Sequence, residues 1–287
     1  MRVRTRETYM TTPKGLTFFR CEWSHPILRI RGLVFISHGL GEHMGYYSDV
    51  AVHLVRLGYI VFGHDHPGHG YSSDSKEDMF RECIECTLFD ITVTTQSKYG
   101  NKYSLFIIGH SIGALIALTA LKKMPDLFSG AVLVAPPFKG LSKLYFKPLF
   151  NLLLPFLSYF YPSYQIVKMS LNQLTRDVHQ VKRMEKDPLY SKLGLKARST
   201  YLIHQTIKTL QSRAHEIQVP LFIQQGACDG FTDPLSAQSL FDSVGSRRKH
   251  IKMYDGAYHH LYIDIPSTKK EAISDAVTWI YFTQKFA

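Results

Sequence analysis

No stretch of the 287-residue chain approaches the roughly 20 consecutive apolar residues that a membrane-spanning helix needs. The basic opening, Met1-Arg2-Val3-Arg4-Thr5-Arg6, is followed by no apolar segment, so no secretory signal is expected. Cysteine is scarce. The four present, Cys21, Cys83, Cys86 and Cys228, are too few and too scattered for a disulfide framework, and a reducing, cytosolic setting is expected. Cys83 and Cys86 make a C-x-x-C without the second pair that a zinc site would require, and they read as two cysteines on one helix. Nucleotide-binding patterns of the G-x-x-x-x-G-K-[ST] and G-x-G-x-x-G types are missing, as are helix-turn-helix, RNA-binding and zinc-finger signatures. Acidic residues are outnumbered 23 to 34 by Lys and Arg, leaving a net charge of +11. The basic residues are dispersed, so the excess points to an anionic membrane surface rather than to nucleic acid. Repeats and low-complexity segments are also lacking.

What is present is a succession of short apolar runs, enough at 45% hydrophobic residues to bury a core. Leu33-Val34-Phe35-Ile36, Tyr59-Ile60-Val61-Phe62, Leu105-Phe106-Ile107-Ile108, Ala131-Val132-Leu133-Val134 and Leu221-Phe222-Ile223 are each bounded by Gly, Pro or charge. Strands that are apolar on both faces belong to a parallel sheet covered on both sides. Helical patterns lie between them, near Tyr47 to Leu57, Met79 to Lys98, Ile112 to Lys122 and Ala237 to Val244. The alternation predicts a doubly wound α/β fold in one domain over residues 1–287. From about Pro137 to Thr200 no strand-like run is found, only helix-like segments. This stretch reads as an insertion over the carboxyl edge of the sheet, where ligands bind in such folds. Its first part, Leu141 to Tyr161, mixes bulky apolar residues with Lys143 and Lys147; on pattern alone it suits an ordinary core helix equally well.

The strand ending at Ile108 runs into Gly109-His110-Ser111-Ile112-Gly113 and then a helix, which is G-x-S-x-G in the strand–turn–helix setting that exposes a serine hydroxyl. A serine needs a base to remove its proton, and the base needs an acid to orient it. In chain order, Asp229 follows the strand at Leu221, and His259 follows the strand-like Ile251-Lys252-Met253-Tyr254. Asp233 competes with Asp229 but suits a cap for the helix after Pro234. His260 competes with its neighbour His259, and the pattern barely separates the two. Backbone donors for an oxyanion are expected from Ile112 and, in the glycine-bearing loop Ser37-His38-Gly39-Leu40-Gly41-Glu42-His43, from Leu40. His64-Asp65-His66-Pro67-Gly68-His69-Gly70 invites a metal reading, but Pro and Gly make it a loop with no third group to complete a sphere. Neither a metal nor a cofactor is expected.

These segments, with Asp187-Pro188-Leu189 and Gly256-Ala257-Tyr258-His259, resemble the monoacylglycerol lipase family of α/β-hydrolases over nearly the whole chain. The resemblance implies Ser111, Asp229 and His259 as a triad, favouring His259 over His260, and Leu40 and Ile112 as oxyanion donors. It also implies that the insertion is a cap whose apolar outer face touches membranes and admits lipid. Glu42, His110, Tyr46 and Tyr262 are the candidate substrate contacts. The chain departs from the family around the head group: Tyr46 stands where an Arg is usual, Tyr262 where a second His is usual, Met184 where a cap tyrosine is usual, and Ala114 replaces a glycine. So compact and divergent a member suggests a viral origin. The expected activity is hydrolysis of a fatty-acyl ester, foremost a monoacylglycerol, by a peripheral membrane enzyme. Lysophospholipase, thioesterase and general carboxylesterase activities use the same triad. A silent lipid-binding scaffold is the reading from another class, and the intact triad argues against it.

Overall fold

The two-sided apolar runs form the centre of one eight-stranded sheet in a computed structural model that describes residues 3–74, 78–140, 148–167, 170–192 and 194–285. The strands are β1 (Arg4–Thr11), β2 (Thr17–Ser24), β3 (Gly32–Ser37), β4 (Tyr59–His64), β5 (Leu105–His110) and β6 (Phe128–Val134), then β9 (Leu221–Gly226) and β10 (Lys249–Tyr254). Two further short strands, β7 (Gln165–Val167) and β8 (Leu195–Lys196), lie outside this sheet. The helices are α1 (Ser48–Arg56), α2 (Met79–Thr92), α3 (Ile112–Lys123), α4 (Pro148–Phe160), α5 (Val178–Lys186), α6 (Ala197–Arg213), α7 (Leu235–Ser243) and α8 (Pro266–Lys285). Strand order is β1-β2-β4-β3-β5-β6-β9-β10, parallel from β4 to β10 and antiparallel where β1, β2 and β4 meet.

Alternate residues of each central strand enter opposite cores, as period-two geometry dictates. Leu33, Phe35, Leu105, Ile107, Leu221 and Ile223 pack with residues of α2, α3, α6 and α7. Val34, Ile36, Phe106, Ile108 and Phe222 pack on the other side with residues of α1 and α8. The two faces are thus both buried, which explains why these strands are continuously apolar. Cys83 and Cys86 sit on α2 with buried free thiols, and burial pushes Cys86 up to about 12 and Cys83 well above its ordinary value.

Two expectations are corrected. The amino-terminal strands β1 and β2 had no apolar-run signature, because β1 is a mostly exposed edge of alternating polar residues. The insertion is not purely helical: β7 and β8 pair antiparallel, Gln165 opposite Lys196 and Val167 opposite Leu195. Strands of two and three residues leave no periodicity to read. Leu141, Lys143 and Lys147 lie outside the described residues. Within the described part, α4 turns Leu154 and Ser158 inward, while Leu152, Leu153, Phe156, Tyr159 and Phe160 face solvent. The core-helix reading of this segment therefore fails on that face.

The segment between β6 and β9 is fastened to the sheet's carboxyl edge by hydrogen bonds and an ion pair. Asp187 accepts hydrogen bonds from His43 Nε2 and the Tyr46 hydroxyl, both at 2.9 Å, and Arg176 grips Asp264 at 2.8 Å. A second network lies inside. Arg20 on β2 donates to Asp90 on α2 at 2.8 Å, and Asp90 also accepts from His64 Nδ1 at 3.0 Å, at the end of β4. Burial by itself raises the Asp90 carboxyl, but the His64 hydrogen bond and the Arg20 charge outweigh it and hold the group below its usual 3.8. A carboxyl depressed in the folded state stabilises above its unfolded value and loses that contribution as pH falls through its folded one. Asp90→Asn is therefore expected to lower unfolding free energy by about 3 kcal/mol at pH 7, since it breaks a buried pair. Urea midpoints of wild type and variant should begin to converge as pH falls below about 4, where the unfolded carboxyl takes up its proton first, and should meet once folded Asp90 is protonated too.

Candidate active site

The turn from β5 into α3 places Ser111 at φ 54°, ψ −120°, a backbone conformation that side chains rarely adopt. The turn is held by close approach on both sides. A Cβ on Gly113 would run into the Ser37 carbonyl oxygen, and one on Gly109 would lie 2.6 Å from the Gly113 carbonyl oxygen. Glycine at both positions is thus a steric requirement of this packing. Ser111 N–H donates to Val134 O on β6 at 2.9 Å, locking the turn against the next strand. Ile112 opens α3, so its N–H has no acceptor within the helix, and the helix's positive end points at the Ser111 region.

His259 and Asp229 come from the loops after β10 and β9 at the same sheet edge. His259 Nδ1–H donates to Asp229 Oδ2 at 2.7 Å, leaving Nε2 as the lone-pair nitrogen. Asp229 is pinned by four further bonds: from Phe231 N–H at 2.8 Å, Thr232 N–H at 2.9 Å, the Thr232 hydroxyl at 2.6 Å and Gln225 Nε2 at 2.9 Å. Burial raises its carboxyl, yet the His259 charge and hydrogen bond, together with Thr232, bring it down to about 2. Asp229 is therefore ionised across the neutral range. Asp233 instead accepts from Leu235 N–H at 2.9 Å at the start of α7, the capping alternative.

The loop after β3 carries Gly39, Leu40 and Glu42. Glu42 Oε2 accepts from Gly39 N–H at 2.9 Å and from the Tyr47 hydroxyl at 2.5 Å, which fixes the shape of the loop around Leu40. His38 Nδ1–H donates to Gly39 O at 2.7 Å, and its Nε2 accepts from His66 N–H at 2.8 Å. Burial, with neighbouring His69, keeps His38 well below its ordinary value, so this imidazole is neutral. The histidine-rich His64–Gly70 loop thus acts as scaffold: His66 also bonds Ser37 at 3.0 Å, and Asp65 accepts from Met44 N–H at 2.7 Å.

Histidine 260 does not join Asp229. It stacks on His110, ring centroids 4.0 Å apart, with its Nε2 3.4 Å from Glu42 Oε1, while His110 Nδ1 lies 3.0 Å from the same oxygen. Of the other candidate contacts, Tyr46 gives its hydroxyl to Asp187 and lies under the Arg183 guanidinium at 4.7 Å. Tyr262 gives its hydroxyl to Gln224 at 2.8 Å within the core. Both hydroxyls are committed to protein partners, because each aromatic ring fills a buried slot that sets where its oxygen can reach. Met184 is fully buried. No sequence motif assigns a role to Tyr190, whose buried hydroxyl has no hydrogen-bond partner among the described residues and whose ring packs edge-on to Tyr46 at 5.7 Å. Its one signal was position, directly after Asp187-Pro188-Leu189.

Comparison with known proteins identifies the family. Residues 29–266 match the Hydrolase_4 family, described as serine aminopeptidase, S33. A monoglyceride lipase homolog of Monkeypox virus is 31% identical over 267 residues, covering 92% of this chain and 94% of that protein. The monoglyceride lipase of Rattus norvegicus is 30% identical over 268 residues, covering 91% and 86%. A soluble variant of monoglyceride lipase from Saccharomyces cerevisiae, solved with a substrate analog, has the same fold at a TM-score of 0.84, with 22% identity and coverage of 96% and 94%. The chain belongs to the Hydrolase_4 family of serine α/β-hydrolases and, within it, to the monoglyceride lipases.

Proposed function

We propose that the protein hydrolyses monoacylglycerols to glycerol and free fatty acid through an acyl-enzyme on Ser111. The observation that carries the reading is the 2.7 Å His259–Asp229 bond at the sheet edge where the strained turn presents Ser111. His259 Nε2 takes the Ser111 proton as the oxygen attacks the ester carbonyl. The ionised Asp229 stabilises the imidazolium that results. Charge developing on the carbonyl oxygen faces the N–H groups of Leu40 and Ile112. His259 then protonates the leaving glycerol oxygen, and water repeats the sequence to release the fatty acid. Relatives named as monoglyceride lipases favour this ester class over phospholipid, thioester or simple ester substrates, which the same triad would also serve.

Ser111 is 2% exposed and His259 1%, so an ester reaches them only when covering side chains move. The insertion, about 137–200, serves in this reading as a cap over one hydrolase domain. Its α4 face and the residues just after it, including Tyr161 and Tyr164, expose a continuous set of large apolar side chains. Such a face, on a protein of net charge +11, suits shallow seating in an anionic bilayer. Among the described residues no helix is long and apolar enough to cross a membrane, so the association is peripheral. Four free cysteines suit a cytosolic, reducing location.

Head-group selection rests on donors that the protein has not already engaged. With Tyr46 and Tyr262 committed to Asp187 and Gln224, the Tyr190 hydroxyl, unpartnered among the described residues, is the donor left beside Tyr46.

Three experiments test this reading. On purified protein, Ser111→Ala should reduce monoacylglycerol hydrolysis by roughly 10³-fold or more, and Asp229→Asn by a comparable factor, with both variants folded. A panel of esters sharing one acyl chain should rank monoacylglycerol first, and Tyr190→Phe should reduce its lead by roughly 2- to 10-fold, the worth of one hydrogen bond. Retention of a tenth of the activity by Ser111→Ala would rule out the nucleophile. For the membrane, Leu152→Ser with Phe156→Ser should weaken binding to anionic vesicles and leave hydrolysis of a soluble short-chain ester intact. Equal losses in both assays would assign α4 a purely structural role.

A further inference from the structure

Glu42 after β3, His110 at the end of β5 and His260 after β10 converge from three distant parts of the chain. All three are buried, and one carboxylate oxygen and one nitrogen from each imidazole lie within 4.8 Å of one another. His110 Nδ1 and His260 Nε2 stand 3.0 Å and 3.4 Å from Glu42 Oε1. Apart from these contacts to Glu42, the ring nitrogens of both histidines have no hydrogen-bond partner among the described residues. Buried polar atoms in native proteins are nearly always satisfied, so such a cluster calls for a ligand, to which each imidazole can offer one nitrogen.

The spacing identifies its chemistry. In a tetrahedral zinc centre with bonds of about 2.0–2.1 Å, donor atoms lie about 3.3 Å apart, and each lone pair points at the centre rather than at its neighbour. The two Glu42 contacts, at 3.0 Å and 3.4 Å, match that spacing. Glu42 is oriented for it, since Gly39 N–H and the Tyr47 hydroxyl hold Oε2 and leave Oε1 to the histidines. Two imidazoles and one carboxylate form a ligand set that zinc accepts with a water in fourth place.

We infer that Glu42, His110 and His260 form a zinc-binding site, and that zinc bound there suppresses hydrolysis. His110 directly precedes Ser111, and its ring lies 5.0 Å from that of His259. A divalent cation held at this cluster opposes the positive charge that His259 must acquire as it takes the serine proton. Only the suppression depends on the assignment of Ser111 and His259; the binding does not.

The test titrates chelator-treated, dialysed protein with zinc sulfate against a chromophoric zinc indicator, while turnover of a soluble short-chain ester is followed in parallel. Wild type should bind one equivalent with a Kd below about 10 µM and lose most of its turnover, which EDTA restores. His260→Phe keeps an aromatic ring on His110 without a donor nitrogen; it should bind zinc at least about 10-fold more weakly and resist inhibition. Glu42→Gln should weaken binding likewise, and Ser111→Ala should retain it. Wild type that binds no zinc below about 100 µM overturns the site whether or not the variants fold. Binding unchanged in His260→Phe overturns it too, and full turnover with zinc bound overturns the suppression.

Discussion

The turn at Ser111 is the constraint around which the rest of the molecule is arranged. A non-glycine residue at φ 54°, ψ −120° carries a conformational cost of about 1–3 kcal/mol that only surrounding structure can offset. The offset comes from three directions. Gly113 packs on the carbonyls of Ser37 and His38, Gly109 packs beneath the first turn of α3, and Ser111 N–H is bonded to Val134 O. Each contact requires β3, β5 and β6 to be adjacent and in register, which the two buried cores enforce. The geometry that presents the hydroxyl is therefore inseparable from the parallel sheet beneath it.

Buried charge and histidine serve the same edge. Asp229 is kept ionised by five hydrogen-bond donors, which lets it orient His259 without being protonated itself. Glu42 organises the loop that bears Leu40, and the neutral His38 and His66 buttress that loop from behind. Three loops of unrelated sequence are thereby made into one rigid surface, as electrostatic stabilisation of a transition state demands.

The parts of this arrangement that were legible in the sequence share a physical cause. Strands apolar on both faces announce a covered parallel sheet; Ser111 and Asp229 follow such strands and His259 follows the mixed edge strand β10, so their common edge could be anticipated. The polar, exposed β1 and the tiny β7–β8 ribbon carry no comparable signal, since their pairing depends on partners rather than on burial pattern. Side-chain direction was equally hidden. Tyr46 and Tyr262 are expected as substrate contacts from the resemblance alone, but their hydroxyls bond Asp187 and Gln224. The convergence of Glu42, His110 and His260 leaves no local spacing to detect, because the three loops meet only once the sheet has formed.

The most direct test of the account is reaction with a fluorophosphonate, which modifies a serine only when a neighbouring base activates it, followed by mass-spectrometric mapping of the adduct. The account predicts one phosphonyl group per chain, carried by Ser111, and none on a His259→Ala variant that remains folded. An unmodified wild-type protein, or an adduct on any other serine, would contradict it.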